Sequence, residues 1–340
     1  MELSAAIARA VAREHLTADE MAGAIGRIMD GEATPAQIGA LLVALRMKGE
    51  TVAEVVGAAR AMRQRALPLQ VPEGVVVDTC GTGGDGRGTI NVSTIAALVV
   101  AAAGVRVAKH GNRAQSSRAG SADLLEALGV NVAAPVATVE RCLREVGIGF
   151  LFAPAFHGAT RHAGAPRREI GVRTIFNLLG PLTNPAGAKH QVIGVYDGAL
   201  CESMALVLRE LGSAHALVVH GAGGLDEVAP SGVTEVAELR SGEVKRYRLQ
   251  PRDFGLGDED PAGLDGGDAD ANAAIARAVL AGRAGGAPAA ARSCVVMTAA
   301  CALYAAGASG LRDGARRAEA LLDDGSAARI LARLVEATQP

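Results

Sequence analysis

The sequence predicts an α/β protein in which a small all-helical lobe precedes a larger lobe built on a central, mostly parallel sheet. Three observations carry this. Residues 1 to about 67 hold apolar stripes at helical spacing and no strand pattern. From Pro68 onward, short β-branched apolar runs alternate with helical stretches. The chain is 340 residues long and 49% hydrophobic, enough for two lobes with a sizeable core.

The helical lobe declares its elements through caps. Leu3, Ala6, Ile7, Ala10 and Val11 open at helical spacing. Thr17 with Glu20, Thr34 with Gln37, and Thr51 with Glu54 each read as a capping box. Pro35 sits at the first position of its helix, where its missing N–H costs nothing. The stripes behind these starts are Met21, Ile25, Ile28 and Met29; Ile38, Leu41, Leu42 and Leu45; and Val52, Val55, Val56 and Met62. They must bury against the rest of the chain or against a second copy.

Pro68 and Pro72 end this region. The runs "GVVVDT", "VRVAK", "IGFLF", "QVIGVY", "HALVVH" and "VTEVAEL" are continuously apolar, as buried parallel strands are. Beyond about residue 270 the pattern is helical again. The segment "GDEDPAGLDGGDADAN" reads as a solvated loop. Asp268, Asp270 and Asn272 mimic half of a calcium loop, but Ala273 and Val279 stand where its Gly and Glu are required.

Composition excludes several functions. Lys plus Arg number 34 against 36 Asp plus Glu, a net charge of -2, so no general basic field is available for nucleic acid. Aromatics make up 2% of the chain, too few for a base-stacking platform. No apolar run reaches the roughly 20 residues of a membrane span, and the N-terminus lacks a secretory pattern. Cys80, Cys142, Cys201, Cys294 and Cys301 are scattered, as expected of reduced thiols in a cytoplasmic protein.

Four clusters carry chemistry. The first is "DTCGTGGDGRGTINVST". Gly81, Gly83 and Gly86 match a dinucleotide-binding turn, yet no helix opens at Gly86, and the next strand ends in Lys109 and His110 rather than an acid. The loop can instead gather N–H groups around an anion, with a following helix start near Asn91, Ser93 or Thr94 supplying hydroxyl caps. Asp85 inside it would repel a bare phosphate, which points to a ligand that also brings hydroxyls or a metal. The bland reading is an ordinary strand-to-helix turn.

The second cluster, Lys109, His110, Asn112, Arg113, Ser116, Ser117, Arg118 and Ser121, is a run of donors; alone it equally suits a polar loop capped into a helix by Ser121 and Asp123. The third gathers Arg161, His162, Arg167, Arg168 and Arg173, with His157 upstream. Most of these fit a solvated helix face, and one or two suit a carboxylate. The fourth is Asp226 beside Glu227 after "HALVVH" and a glycine turn. Adjacent carboxylates repel unless a cation sits between them, and Mg²⁺ prefers one or two carboxylates plus waters and phosphates.

Together, "GTGGD", "NVST", "KHGNR", "GSADLLEALG", "RTIFNLLGPLTNPA" and "LDEVAPSG" resemble the anthranilate phosphoribosyltransferases, in the same order from about residue 3 to about 337. The resemblance implies the nucleoside-phosphorylase-like class of phosphoribosyltransferase. Its small helical domain would comprise 1–70 plus about 168–190, and its large α/β domain 71–167 plus 191–340. It implies a cytoplasmic homodimer, Mg²⁺ at two ions per active site, and the small-molecule substrates 5-phosphoribosyl 1-diphosphate (PRPP) and anthranilate, the second-step pair of tryptophan biosynthesis.

By the same resemblance, Gly81, Thr82, Gly83, Gly84 and Asp85 wrap the diphosphate and ribose. Thr89, Asn91, Ser93, Thr94, Lys109 and Ser121 complete that site. Ser93, Asp226 and Glu227 carry the metal. Gly81, His110, Asn112 and Arg167 line the anthranilate site, with Arg167 rather than Arg168 on the carboxylate. No residue is assigned as general acid or base. The resemblance departs at "ARSCVVMTAACALY", where Arg292-Ser293 and Met297-Thr298 replace the family's pattern; these positions read as packing. Two rivals remain. A pyrimidine nucleoside phosphorylase would have no need of the Asp226-Glu227 pair, and a nucleic-acid-binding relative would need a basic track.

Overall fold

The computed structural model describes residues 1–114 and 118–339; Ser116 and Ser117 lie outside the described residues. Four helices open the chain: α1 (Leu3–Val11), α2 (Ala18–Met29), α3 (Pro35–Lys48) and α4 (Val52–Arg63). All three capping boxes form, with Thr17, Thr34 and Thr51 N–H groups reaching Glu20, Gln37 and Glu54 at 2.9, 3.0 and 2.8 Å. Helices α2 and α4 touch backbone to backbone at Gly57, where a Cβ would stand 2.1 Å from the Ala18 carbonyl oxygen. The stripes bury with Ala163, Ile175, Phe176, Leu179 and Leu182 of a later segment, so the chain returns to this lobe.

Glu54 has a second task. Its carboxylate also accepts from Leu16 N at 2.9 Å and from Lys48 Nζ at 2.9 Å, and the Lys48 and Glu54 side chains are 1% and 0% exposed. Removing one partner of a buried pair strands the other charge, at a cost of about 3 kcal/mol or more. Glu54→Ala therefore destabilises the protein by about that amount in urea unfolding, whereas Glu20→Ala on the exposed box costs far less.

The large lobe holds a seven-stranded sheet in the order β3-β2-β1-β4-β5-β6-β7. The strands are β1 (Val76–Gly81), β2 (Arg106–Gly111), β3 (Ile148–Phe152), β4 (His190–Gly194), β5 (His215–Gly221), β6 (Thr234–Arg240) and β7 (Glu243–Leu249). Strands β1 to β5 pair in parallel; β6 and β7 pair antiparallel. The run "VTEVAEL", expected among the parallel strands, is thus antiparallel to β5. Strand β7 lies at the sheet edge and carries Lys245, Arg246 and Arg248 exposed, which keeps that edge from pairing with another chain.

Period-two alternation covers both faces. Val192, Leu217 and Val219 pack toward α5 (Val92–Ala102) and the helix Ala289–Ala305, while Ile193, Ala216 and Val218 pack toward the helix Leu200–Glu210 and the helical lobe. The acidic segment is not all solvated loop. Asp268 caps the helix Ala269–Leu280 by accepting from Ala271 N at 2.9 Å, and Asn272 is buried. The chain winds outward from β1 in one direction to β3, then crosses to β4 on the other side. That reversal opens a crevice at the carboxyl ends of β1 and β4.

Candidate functional site

The glycine loop leaves β1 at that crevice. Register pairs Gly81 with Gly194, and Thr82 N donates to Gly194 O at 2.9 Å. Gly83, Gly84, Gly86 and Gly88 all have left-handed backbone, φ 64°, 77°, 73° and 66°, open only to glycine without strain. Helix α5 begins at Val92, well past Gly86, so the dinucleotide turn is excluded. Asp85 Oδ1 accepts from Arg87 N at 3.0 Å; its Oδ2 is buried without a donor among the described residues. Thr89 is half-buried and bridges to Asp265.

The hydroxyl caps expected at α5 do not form. Asn91 is the N-cap residue, but its side chain makes no cap bond; it donates to Ala119 O at 3.1 Å and accepts from Asn272 at 3.1 Å. Thr94 is 2% exposed, and its hydroxyl has no partner among the described residues. Ser93 N donates to Glu227 Oε1 at 3.1 Å.

Asp226 and Glu227 enter the crevice from the turn after β5, and two glycines make room for them. A Cβ on Gly194 would stand 1.6 Å from Asp226 O, and one on Gly81 would stand 3.0 Å from Asp226 Oδ2. Glu227 Oε2 accepts from Thr298 Oγ1 at 3.5 Å. Position 298 is therefore more than the packing expected of it, whereas Met297 is core. Lys109, 3% exposed, donates to Thr79 O at 2.5 Å and to Ser93 Oγ at 3.4 Å.

Burial, then the charge of Asp85, raises Asp226 to about 7; burial, then Asp226, raises Glu227 to about 8, with the Lys109 charge opposing. Three carboxylates face one buried ammonium, and Asp85 Oδ2 has no donor among the described residues. This hard-oxygen set with surplus negative charge fits a divalent cation such as Mg²⁺.

Carboxyl groups raised on folding contribute stability fully present below about pH 4 and lost as pH climbs through 7 to 8. A bound cation removes that loss. Scanning calorimetry should show Mg²⁺ raising Tm more at about pH 9 than at about pH 5.

Strand β2 supplies the next residues. His110 Nδ1 donates to Gly180 O at 3.1 Å, leaving Nε2 as an acceptor without a partner among the described residues. Burial, then the neighbouring His157, lowers His110 to about 3, so the ring is neutral. The two rings meet edge to face at 5.2 Å. Asn112 and Ser121 bind each other: Asn112 N donates to Ser121 Oγ at 3.2 Å, and Ser121 Oγ donates to Asn112 O at 3.3 Å. Arg113 pairs with Asp123 and Glu126 at 3.0 and 2.7 Å and so serves the scaffold.

The arginine cluster sorts by burial. Arg161 and Arg168 are exposed. Arg167 is half-buried on the helix Arg161–Ile170, its Cζ 4.8 Å from the Phe176 ring centroid, and has no carboxylate partner among the described residues. Burial lowers its pKa. A desolvated guanidinium without a counter-ion is suited to a ligand carboxylate.

Sequence reading missed the frame behind these groups. Asp78, fully buried in β1, accepts from His110 N at 3.2 Å and from Asn184 Nδ2 at 2.8 Å; Asn184 also donates to Ala108 O at 2.8 Å. An acid inside an apolar strand was the available signal.

The chain matches known proteins over nearly its whole length. The model described as "Glycosyl transferase family, a/b domain" matches residues 73–328, and "Glycosyl transferase family, helical bundle domain" matches 4–66. The chain is 58% identical over 334 residues to the anthranilate phosphoribosyltransferase of Anaeromyxobacter sp. (strain K), covering 98% of each. It is 57% identical to that of Moorella thermoacetica, covering 98% of this chain and 97% of the other. It is similar in structure to the anthranilate phosphoribosyltransferase of Thermus thermophilus, with TM-score 0.93 and 45% identity over 98% of this chain and 99% of that one. The Saccharomyces cerevisiae enzyme in complex with PRPP and Mg gives TM-score 0.89 and 26% identity over 99% and 97%. The chain belongs to the anthranilate phosphoribosyltransferase family.

Proposed function

We propose that the protein transfers the 5-phosphoribosyl group of PRPP to the amino group of anthranilate, releasing pyrophosphate, in the second step of tryptophan biosynthesis. The observation that carries this is one crevice at the carboxyl ends of β1 and β4 in which a glycine loop with four left-handed residues meets a carboxylate pair short of positive charge. Arg167, half-buried and without a carboxylate partner among the described residues, lies on the segment that runs on to Arg173, which donates to that loop.

In this reading Gly81, Thr82, Gly83, Gly84 and Asp85 hold the diphosphate and ribose, with Thr89, Asn91, Ser93, Thr94, Lys109 and Ser121 around them. The Thr94 hydroxyl, without a partner among the described residues, accords with that role. Asp226, Glu227 and Ser93 would hold Mg²⁺, at two ions per site. When bound, Mg²⁺ supplies positive charge to the diphosphate as it departs from C1. Backbone N–H groups of the loop and Lys109 stabilise the same leaving charge.

Arg167 grips the anthranilate carboxylate, and Gly81 and Asn112 flank the ring. The neutral His110 presents Nε2 as an acceptor that orients the amine. That amine is already a free nucleophile, so positioning carries the rate and no general base is required.

The helical lobe supports a homodimer. Val11, Val43 and Met47 are 68%, 36% and 69% exposed, and Ala36 and Ala40 extend the outer face of α3. Five free, buried cysteines accord with a cytoplasmic location, and no helix among the described residues is long and apolar enough to cross a membrane.

Pyrophosphate release tests the reading against a nucleoside phosphorylase. Release from PRPP that requires anthranilate, with no phosphorolysis of uridine or thymidine, is expected. Phosphorolysis without anthranilate-dependent release would overturn it.

A further inference from the structure

The glycine loop is fastened at two points by residues that none of the roles above uses. Thr82 Oγ1 accepts from Tyr196 N at 3.2 Å. Two residues on, Gly84 O accepts from Arg173 Nη2. The Arg173 guanidinium also stands over the Tyr196 ring, with Cζ 4.1 Å from its centroid. Gly84 is left-handed at φ 77°, and a Cβ there would lie 3.5 Å from Arg173 Nη2, so loop and side chain are in direct contact. Arg173 has no carboxylate partner among the described residues; its donor goes to a carbonyl and its charge to a ring face. Lysine could not donate in plane and stack at once.

The placement of Arg173 in the chain joins the two substrate sites. The helix carrying Arg167 ends at Gly171, φ 67°, and Arg173 follows, just before Phe176, whose ring lies under Arg167. One short segment therefore carries both the arginine assigned to the anthranilate carboxylate and the arginine bound to the PRPP loop. A loop with four left-handed glycines has many accessible states, and an anion needs its N–H groups to converge. Pinning one carbonyl removes much of that freedom.

We propose that Arg173 is a positioning residue that couples the two substrate subsites: by pinning Gly84 to Tyr196 it holds the loop in its phosphate-binding shape, and anthranilate ordering the 167–176 segment tightens that hold. This rests on the function proposed above. Coupling is reciprocal, so each substrate strengthens the other's binding by the same factor.

The test compares wild type with Arg173→Met, Arg173→Lys, Tyr196→Leu and Tyr196→Phe. Arg173→Met should raise KM for PRPP about tenfold, with Arg173→Lys between it and wild type. Tyr196→Phe keeps the ring face and should stay near wild type, while Tyr196→Leu should match Arg173→Met. The double variant Arg173→Met with Tyr196→Leu should be no worse than either alone. In calorimetric titration with Mg²⁺ and pyrophosphate, anthranilate should tighten pyrophosphate binding to wild type and to Tyr196→Phe but not to Arg173→Met. A PRPP KM within twofold of wild type in Arg173→Met, additive effects, or undiminished coupling would each overturn the proposal. A folded wild type without turnover defeats the phosphoribosyl reading itself; an active wild type beside an unaltered Arg173→Met defeats the coupling alone.

Discussion

Replacing Asp226 by Asn together with Glu227 by Gln lowers kcat/KM by about a thousandfold, the equivalent of about 4 kcal/mol of transition-state stabilisation. These carboxyl groups are buried, mutually repelling and raised to about 7 and about 8 in the cation-free protein. Asn and Gln keep the shape and remove the charge, so the fold survives. With the repulsion gone, the double variant should melt no lower than cation-free wild type above about pH 8, and Mg²⁺ should no longer raise its Tm. Circular dichroism melts with and without Mg²⁺, beside steady-state kinetics, check both parts. A double variant whose turnover and Mg²⁺ dependence equal those of wild type removes the metal assignment.

Arg167→Leu should raise KM for anthranilate about thirtyfold to a hundredfold, since a charge-assisted pair with a carboxylate is worth about 2 to 3 kcal/mol. Arg168→Leu should change it less than about twofold, as exposed charges contribute little. The pair is a clean contrast because the residues are neighbours on one helix. Successive positions turn by about 100°, so Arg167 packs half-buried over the Phe176 ring while Arg168 faces water. Aniline, which lacks the carboxylate, should react equally poorly with wild type and Arg167→Leu. Equal effects of the two substitutions would place the carboxylate elsewhere.

Those two arginines mark how far the sequence could be read. The three capping boxes were legible because a cap involves residues three apart, and all three form. The six apolar strands were legible because a doubly covered sheet demands continuous apolar runs. Strand β7 was not, since "EVKRYRL" alternates charged residues as an exposed edge does. Ser93 and Thr94 carry hydroxyls suited to a cap, yet the first turn of α5 gives the Ser93 N–H to Glu227.

Contacts made only by folding stayed hidden. Asp78 and Asn184 are 106 residues apart, and Glu227 and Thr298 are 71 apart. No local pattern reports such pairs. Asn272, read as part of a failed calcium loop, became a buried donor to Asn91 for the same reason. The clusters of ligand-type residues were visible in the chain; that the glycine loop meets Asp226 at the β1/β4 reversal required the sheet order.

In the proposed reaction this crevice joins anthranilate to the phosphoribosyl group with a cation held at Asp226 and Glu227. Anthranilate fluorescence, followed after adding the folded protein to anthranilate, PRPP and Mg²⁺, is the test. The signal should fall to completion as one pyrophosphate appears per anthranilate lost, and it should hold steady when Mg²⁺ is chelated. A signal that does not fall with all three present, or that falls equally after chelation, would contradict it.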